Sequence, residues 1–235
     1  MLRTLWRSAL LCAAAAAVSL GAHAETIAII GTGNVGSALG QRFAELGHEV
    51  VFGSRSPTRA DVVRVVEQAG PTASAATLDA AVRDASIVVL AVPWEVAEGL
   101  ARDLAGLDGK IVIDPTNPRR TDENGLRDYP FDGSNAERIQ AAAPGARVVK
   151  ALNTLGAETM RDPSLAGHPV SVPIAGDDPE AKNVVAALVT EIGFEPVDVG
   201  PLRYAHVLEG LHYLRYNAGQ VGGSRINFHF PADPN

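Results

Sequence analysis

The sequence predicts an α/β protein whose core is a doubly wound parallel sheet. Short apolar runs alternate along the chain with longer segments in which apolar residues recur at helical spacing. Several of these runs are apolar throughout, as expected for strands that helices cover on both faces. A glycine-rich turn joins the first run to the first helical segment. Strands and helices in this alternation are typical of a parallel sheet with right-handed crossovers.

The composition is that of a folded acidic protein, and it argues against several functions. The 235 residues are 46% apolar and 20% charged, which excludes a disordered chain. Acidic residues number 27 against 20 basic ones, with no basic tract, so we expect no nucleic-acid partner. The single cysteine, Cys12, precludes a disulfide framework. His206 and His212 lack the i, i+4 spacing of helical metal ligands, and we expect no metal site.

The beginning of the chain differs in character from the rest. Arg3 and Arg7 precede an apolar stretch at 9–20, and residues 22–24 (A-H-A) provide the small residues of a signal-peptidase site. We therefore expect residues 1–24 to be a signal peptide that is cleaved off, giving a periplasmic or secreted protein with no stable membrane insertion afterwards. A retained anchor is one alternative. A misassigned start codon, which would make the protein cytoplasmic, is the other.

The elements can be placed in order from these patterns. A strand is expected at 26–30, followed by a helix at 34–46 in which Leu39 and Phe43 face the same side and which Gly47 ends. Further apolar runs predict strands at 49–52, 87–92, 111–113, 147–152, 170–175 and 194–199. Helical spacing predicts further helices at 60–69, 95–104, 134–143, 178–192 and 202–220.

Capping signals and composition shifts divide the second half of the chain. Ser134 opens a capping box, and Asp178 is followed by proline at the first helical position. Residues 115–133 carry three prolines and several charges, so we expect a loop that is long enough to be functional or mobile. We expect one main domain at 25–200 and a small helical C-terminal lobe at 201–235.

The turn after the first strand predicts a dinucleotide site. Residues 31–36 read G-T-G-N-V-G, with a strand before them and a helix after them, which is the context that this motif requires. Gly31 permits the tight turn, Gly33 lets the backbone approach a pyrophosphate, and Gly36 lets the helix pack closely on the strand. Backbone N–H groups at the helix start then face the phosphates. The main domain is therefore predicted to be of the Rossmann type, and a glycine turn without a ligand is the alternative.

The end of the second strand indicates NADP rather than NAD. An NAD site usually places an acidic residue there to bind the ribose 2′-hydroxyl, whereas this strand runs into Gly53, Ser54 and Arg55. Ser54 can hydrogen-bond a 2′-phosphate, Arg55 can pair with it through two N–H groups, and Arg59 can add a second charge. An arginine on a solvated loop is the alternative.

Further candidates follow later strands, because ligands of this fold bind outside the carboxyl ends of the strands. Ala91 and Val92 offer backbone groups, and the ring of Trp94 can pack against the cofactor unless it is simply a core tryptophan. Asn153 and Thr154 can hydrogen-bond the nicotinamide amide or the substrate ring, with a helix N-cap as the alternative role. We expect no general base, since hydride transfer depends mainly on proximity.

Three blocks of sequence are more specific than the glycine turn: G-S-R at 53–55, P-W-E at 93–95 and D-V-G-P-L at 198–202. With them, nearly the whole chain after residue 24 resembles the NADPH-dependent coenzyme F420 reductase family. It also resembles the cytoplasmic oxidoreductase domain of membrane ferric reductases. The resemblance implies a Rossmann domain with a small C-terminal lobe that pairs in a homodimer. It further implies NADP(H) along the carboxyl edge and hydride transfer to or from a small-molecule acceptor, coenzyme F420 or a flavin.

The resemblance also implies roles for individual residues. The implied cofactor contacts are Thr32, Asn34 and Val35 at the pyrophosphate, Ser54, Arg55 and Arg59 at the 2′-phosphate, and Val92, Trp94 and Ala157 beside the cofactor. Asn153 and Thr154 would orient the rings, although F420-specific members often have a histidine at position 153. An asparagine-threonine pair there is closer to the ferric reductase domain. A flavin or ferric reductase, and a non-catalytic NADP-binding protein, are therefore alternatives to an F420 reductase.

Overall fold

An eight-stranded sheet with helices on both faces runs through the molecule. The computed structural model describes residues 24–223 and 226–231, so the expected signal peptide falls outside the described residues apart from Ala24. The strands are β1 (Thr26–Ile30), β2 (Glu49–Gly53), β3 (Ala73–Ala76), β4 (Ile87–Leu90), β5 (Ile111–Asp114), β6 (Arg120–Thr121), β7 (Arg127–Asp128), β8 (Arg147–Lys150), β9 (Ser171–Gly176) and β10 (Glu195–Asp198). The helices are α1 (Asn34–Glu45), α2 (Ala60–Ala69), α3 (Leu78–Arg83), α4 (Trp94–Asp103), α5 (Asn135–Ala142), α6 (Ala157–Arg161), α7 (Pro179–Glu191) and α8 (Ala205–Gly222).

The strand order defines the fold. The order is β3-β2-β1-β4-β5-β8-β9-β10, so the direction of winding changes between β1 and β4. Strands β3 to β8 are mutually parallel in this order, but β9 pairs with β8 in the antiparallel sense, and β10 follows β9. The predicted doubly wound parallel sheet is confirmed for the six strands from β3 to β8, and the last two strands, β9 and β10, run the opposite way.

The physical reason for the reversal lies in the connection between β8 and β9. A parallel crossover needs a segment, usually a helix, that carries the chain back to the amino edge of the sheet. Between β8 and β9 the chain forms only α6, which has five residues, and a 3₁₀ turn at Pro163–Ala166. Helix α6 packs against α1 and does not carry the chain back along the sheet, so β9 starts at the carboxyl side and runs the opposite way.

The helices form two layers that bury both faces of the central strands. Along β1, Ile27 and Ile29 join the hydrophobic cluster that contains α1, α2, α6 and α7. The alternate residues Ala28 and Ile30 join the cluster that contains α3, α4 and α5. This alternation explains why the strand sequences are apolar at every position.

Several short elements were absent from the prediction. Strand β3 and helix α3 occupy residues 73–83, where small alanines give no clear period. The expected loop at 115–133 contains the antiparallel pair β6–β7. The predicted strands at 87–92 and 147–152 end two residues early, at Leu90 and Lys150, because the chain turns there.

The C-terminal segment is anchored to the carboxyl edge of the sheet. Helix α8 follows a 3₁₀ turn at Leu202–Tyr204, and its Tyr213 hydroxyl donates to the backbone carbonyl of Pro118 at 2.5 Å. The final described stretch lies beside β9, where Ser171 N donates to the carbonyl of Phe228 at 2.8 Å. Within the described ranges, no helix combines the length and the apolar character needed to cross a bilayer.

Candidate dinucleotide site

The glycine turn has the geometry that a phosphate-binding turn needs. Gly31 has a φ of +107°, and a Cβ on it would collide with the carbonyl oxygen of Ala91. A Cβ on Gly36 would collide with the carbonyl oxygen of Gly31, so this glycine allows α1 to pack against β1. A Cβ on Gly33 would have no atom within 4 Å. The protein itself therefore requires the first and third glycines, whereas the open space at the second one is available to a ligand.

The start of α1 leaves backbone donors for an anion. Its N-cap, Gly33, provides no side-chain cap, and the first turn contains no acidic residue. The first N–H groups of a helix have no partners within the helix and carry a partial positive charge. Asn34 is exposed, and Thr32 and Val35 are half-buried beside this opening. The three residues that the sequence assigned to the pyrophosphate thus surround the helix start.

The three candidates for binding the 2′-phosphate, Ser54, Arg55 and Arg59, differ in whether their side chains already bind other residues. Ser54 Oγ accepts from Ser56 N at 3.2 Å, which holds the side chain in a local turn. Arg55 is exposed and has no ion pair with any described residue. Arg59 binds Asp61 through two N–H groups, Nη2 at 2.7 Å and Nε at 2.5 Å, and this pair raises the pKa of Arg59 and lowers that of Asp61. Arg55 therefore offers the freer positive charge.

Trp94 lies between the glycine turn and an aromatic loop. It is the first residue of α4, and Pro93 separates it from Ala91 and Val92, which follow β4. Its ring centroid is 5.8 Å from that of Phe131, and the guanidinium of Arg138 lies 3.4 Å over the Phe131 ring. The indole Nε1 is buried and has no hydrogen-bond partner among the described residues. A buried donor of this kind is normally satisfied, so the indole remains available to a ligand.

The ends of β5 and β8 form an amide pair. Asn153 Nδ2 donates to Asn117 Oδ1 at 2.9 Å and to the Leu208 carbonyl at 2.8 Å. Asn117 Nδ2 in turn donates to the Asn153 carbonyl at 2.9 Å. Two buried oxygens nearby, Asn153 Oδ1 and Thr154 Oγ1, have no partner in the described part of the chain. These are the polar atoms that a nicotinamide amide could satisfy.

The backbone before this pair is strained. Leu152 has a φ of +64°, a conformation that is costly for a branched side chain. It is the only non-glycine residue with positive φ within the described residues, and such strain is concentrated at functional sites. The N-cap of α6 is Gly156, so neither Asn153 nor Thr154 caps that helix. The N-cap alternative for these two residues is therefore wrong, and Ala157, half-buried, begins the helix itself.

Beneath the amide pair lies a buried group of three charged side chains. Lys150 Nζ lies 3.0 Å from Asp114 Oδ2 and 2.7 Å from Glu209 Oε1, and all three side chains are fully buried. Burial alone would lower the pKa of Lys150, but the two carboxylates raise it overall. Burial raises the pKa of Glu209, against the attraction of Lys150. Glu209 also accepts from Asn135 N at 3.0 Å. This buried ion group fixes α8 to the ends of β5 and β8.

The sheet order brings most of the predicted residues to one edge. Strands β2, β1, β4, β5 and β8 are consecutive neighbours, so the segments that follow them line a single carboxyl edge. The 2′-phosphate candidates lie at its β2 end and the amide pair at its β8 end. The sequence reasoning missed Asn117 and the buried ion group. Polar residues directly after a buried strand, as in D-P-T-N at 114–117, were the available signal.

These features fit a nicotinamide dinucleotide. The open space at Gly33, the uncapped start of α1 and the unsatisfied polar atoms of Trp94, Asn153 and Thr154 occur in the order in which the parts of such a cofactor would meet the edge. No group of three or more potential metal ligands occurs in the described ranges. The fold and the site define a Rossmann-type dinucleotide-binding protein.

Comparison with known proteins assigns the family. Residues 26–118 match the family model of coenzyme F420-dependent NADP oxidoreductases. The F420-dependent NADP reductase of Methanothermobacter thermautotrophicus is 33% identical over 206 residues, which cover 81% of this chain and 88% of that protein. The chain belongs to this family of NADP-dependent oxidoreductases.

Two further comparisons extend this result. A crystal structure from Arthrobacter sp. FB24, described as a candidate F420-dependent NADP-reductase, covers 89% of this chain with 31% identity and a TM-score of 0.78. Metalloreductase STEAP3 of Rattus norvegicus is 31% identical over 192 residues. That alignment covers 80% of this chain but only 36% of the metalloreductase, so this chain corresponds to about a third of that protein.

Proposed function

We propose that this protein transfers hydride between NADP(H) and a deazaflavin or flavin, with coenzyme F420 as the first candidate acceptor. The observation that carries the proposal is the continuous carboxyl edge from Arg55 at β2 to the Asn117–Asn153 pair at β8. The order of these groups along the edge matches the order of the parts of the cofactor, with the 2′-phosphate at the β2 end and the nicotinamide at the β8 end. The similarity to an F420-dependent NADP reductase over most of both chains supports the acceptor class.

The residues of the edge act by binding and orientation. When bound, NADPH supplies a hydride from its nicotinamide ring. Gly33 and the start of α1 admit the pyrophosphate, Ser54 and Arg55 select the 2′-phosphate, and Trp94 offers its unpartnered indole N–H to the ligand. Asn153 has both N–H groups occupied, so it presents only its Oδ1 to a ligand. Alignment of two flat rings by such contacts supplies the proximity on which hydride transfer depends.

A flavin or ferric reductase is the second candidate. Asn153 is held by Asn117 and Leu208, which leaves the end of β8 with an amide where F420-specific members often have a histidine. The likeness to a metalloreductase over 80% of this chain also favours this candidate. A non-catalytic NADP-binding protein would share the cofactor contacts but not the turnover.

Stopped-flow absorbance of the purified protein with NADPH separates these functions. Coenzyme F420, FMN and a ferric chelate are added in turn. We expect rapid NADPH oxidation with F420. Oxidation only with FMN, or with FMN plus the ferric chelate, would assign the second candidate. Saturable NADPH binding without turnover for any acceptor would reject both enzymatic proposals.

Replacing Arg55 by alanine is expected to weaken NADPH binding by about tenfold or more and to leave NADH binding nearly unchanged. The change removes a charge-assisted pair with the 2′-phosphate, worth roughly 1.5–3 kcal/mol. Arg59→Ala is the matched control, because Arg59 is already paired with Asp61 and should have the smaller effect. Equal losses for NADPH and NADH, measured by fluorescence titration, would contradict the 2′-phosphate assignment.

We also infer that the protein is exported and functions in the periplasm or outside the cell. The basic start and the A-H-A site at 22–24 support this location. Cleavage before Glu25 would retain the contacts of that residue, whose N donates to His48 Nδ1 at 3.1 Å and whose carboxylate accepts from Ser86 Oγ at 2.6 Å. Cell fractionation with N-terminal sequencing tests the inference, and an uncleaved chain in the cytoplasm would overturn it.

A homodimer is the assembly that we propose, formed through the outer face of α8. Val207, Leu211, Leu214 and Val221 recur at helical spacing there, and Leu214 and Val221 are 55% and 79% exposed. Beside them, apolar side chains that include Tyr204 and Phe230 line a groove of about 220 Å³. An apolar stripe of this kind is typical of a protein–protein contact.

Leu214→Asp is expected to convert the dimer into a monomer, because it places a charge inside the apolar contact. Leu165→Asp is the control, since Leu165 is 66% exposed but lies in the 3₁₀ turn before β9. Sedimentation velocity measures the outcome. A protein that is already monomeric, or that dimerises equally well with Leu214→Asp, would exclude this interface.

A further inference from the structure

A cluster of two arginines and a histidine lies where α8 crosses the carboxyl edge, next to the amide pair. Arg127 Nη1 lies 2.7 Å from His212 Nε2, and the Arg127 guanidinium is 3.3 Å from the centre of the Tyr216 ring. The backbone of Arg127 is fixed by Asn217, whose Oδ1 accepts from Arg127 N at 2.8 Å and whose Nδ2 donates to its carbonyl at 3.0 Å. We call Arg119, Arg127 and His212 the basic cluster.

The hydrogen bonds of the basic cluster define what it lacks. A guanidinium can only donate, so His212 Nε2 must accept from Arg127, and the histidine proton is on Nδ1. Both His212 Nδ1 and Arg127 Nε are buried and have no hydrogen-bond partner among the described residues. The unsatisfied atoms of these two side chains are therefore donors. Buried donors of this kind are normally paired, so the missing partner is an acceptor.

The charge of the basic cluster is not balanced by nearby carboxylates. Asp128 pairs with Arg120 at 3.3 Å, and Glu209 is bound to Lys150. Neither Arg119 nor Arg127 forms an ion pair with a described residue. Burial, together with the positive charges of Arg127, Arg215, Arg119 and Lys150, lowers the pKa of His212 to about 3. Burial and Arg119 likewise lower the pKa of Arg127.

The basic cluster lies at the β8 end of the carboxyl edge, where the nicotinamide and the acceptor are expected. The hairpin that carries Arg119 and Arg127 follows Asn117 directly. On the same face of α8, the Tyr213 hydroxyl bonds the carbonyl of Pro118, one residue after Asn117. The basic cluster is thus attached to the β8 end of the carboxyl edge, the end opposite to the 2′-phosphate candidates.

We propose that the basic cluster binds an anionic phosphate or carboxylate group that the electron acceptor carries away from its reducible ring. The proposal rests on the proposed function, because it assigns the acceptor to the β8 end of the edge. Phosphates and carboxylates are recognised by N–H donors and positive charge. The basic cluster offers two or three such donors and the unbalanced charge of Arg119 and Arg127. The cluster would then select acceptors by charge, independently of the ring that accepts the hydride.

Matched acceptor pairs test the proposal. The pairs are FMN against riboflavin, and coenzyme F420 against its deazaflavin chromophore without the acidic tail. Binding of each is measured by fluorescence, without turnover. We expect Arg127→Gln and Arg119→Gln to weaken the anionic member of a pair about tenfold or more and to leave the neutral member unchanged. Arg83→Gln, an exposed arginine at the end of α3, is the control that should change neither.

A second readout is independent of any acceptor and of activity. The His212 ring is followed by NMR during a pH titration, with and without inorganic phosphate. A bound anion favours the imidazolium, so phosphate should raise the pKa of His212 in the wild-type protein and less in Arg119→Gln, whose exposed site spares the fold.

The outcomes separate this proposal from the proposed function. If no acceptor is turned over but the anionic member of each pair still binds selectively, the proposed enzymatic function is rejected and the proposed anion site is retained. Equal weakening of anionic and neutral members would overturn the anion site and leave the enzyme intact. Failure of both acceptor pairs to bind, together with an unchanged His212 titration in phosphate, would also overturn it.

Discussion

Replacing Lys150 by methionine is expected to lower the free energy of unfolding by about 3–5 kcal/mol, because it leaves two carboxyl groups buried without their cation. Asp114 and Glu209 lie 3.0 and 2.7 Å from the lysine nitrogen, and all three side chains have no exposed surface. Glu209 Oε2 already lacks a partner among the described residues, so the site has no spare donor to compensate. Urea denaturation followed by circular dichroism measures the loss.

Two variants control for this result. Lys182→Met removes a partly exposed pair with Asp198, at a similar distance of 2.8 Å, and should cost about 1 kcal/mol or less. Combining Lys150→Met with Asp114→Asn and Glu209→Gln removes all three charges and should recover part of the stability. If Lys150→Met were as stable as Lys182→Met, the buried ion group would not be holding α8 to the sheet.

Replacing Gly33 by valine is expected to weaken NADPH binding by about a hundredfold, or roughly 2.7 kcal/mol, while the protein keeps its stability. The backbone at Gly33 is extended, at a φ of −75°, which any residue can adopt, and a Cβ there meets no protein atom within 4 Å. The new side chain would instead fill the space through which a pyrophosphate approaches the backbone. Fluorescence titration and thermal unfolding of the same sample measure both quantities.

Gly36→Ala provides the opposite case. A Cβ at this position collides with the carbonyl oxygen of Gly31, so we expect the midpoint of thermal unfolding to fall. A loss of binding in this variant could then result from the damaged fold as well as from the ligand site. Loss of binding in Gly33→Val with an unchanged midpoint would distinguish ligand space from packing space within one turn. Unchanged NADPH affinity in Gly33→Val would reject the assignment of the turn to the pyrophosphate.

The first half of the fold was predictable because each signal there is local. The strand before Gly31 and the helix after it are contiguous in sequence, and their apolar spacing follows from burial on both faces of one sheet. The family resemblance carried by the specific sequence blocks was confirmed by the comparisons. The cofactor class, NADP(H), was confirmed in the same way.

What could not be predicted depends on contacts between distant parts of the chain. Glu209 pairs with Lys150, which lies 59 residues away in the sequence, and no local sequence pattern predicts such a pair. The positive φ of Leu152 is a tertiary property, since leucine in isolation avoids that conformation. The reversal of β9 depends on α6 packing against α1, a contact between distant residues that a propensity argument does not reveal. The roles of the individual cofactor contacts remain predictions that the variants above test.

The amide pair at the end of β8 has a consequence for the chemistry of the site. Asn117 and Asn153 hold each other through groups that neither gain nor lose a proton at any ordinary pH. The nearest ionisable side chains beneath them, those of the buried ion group, are sealed from solvent. The amide pair itself is therefore neither an acid nor a base, in contrast to the basic cluster beside it. In the proposed hydride transfer, these two amides would contribute the position of the ring and no proton.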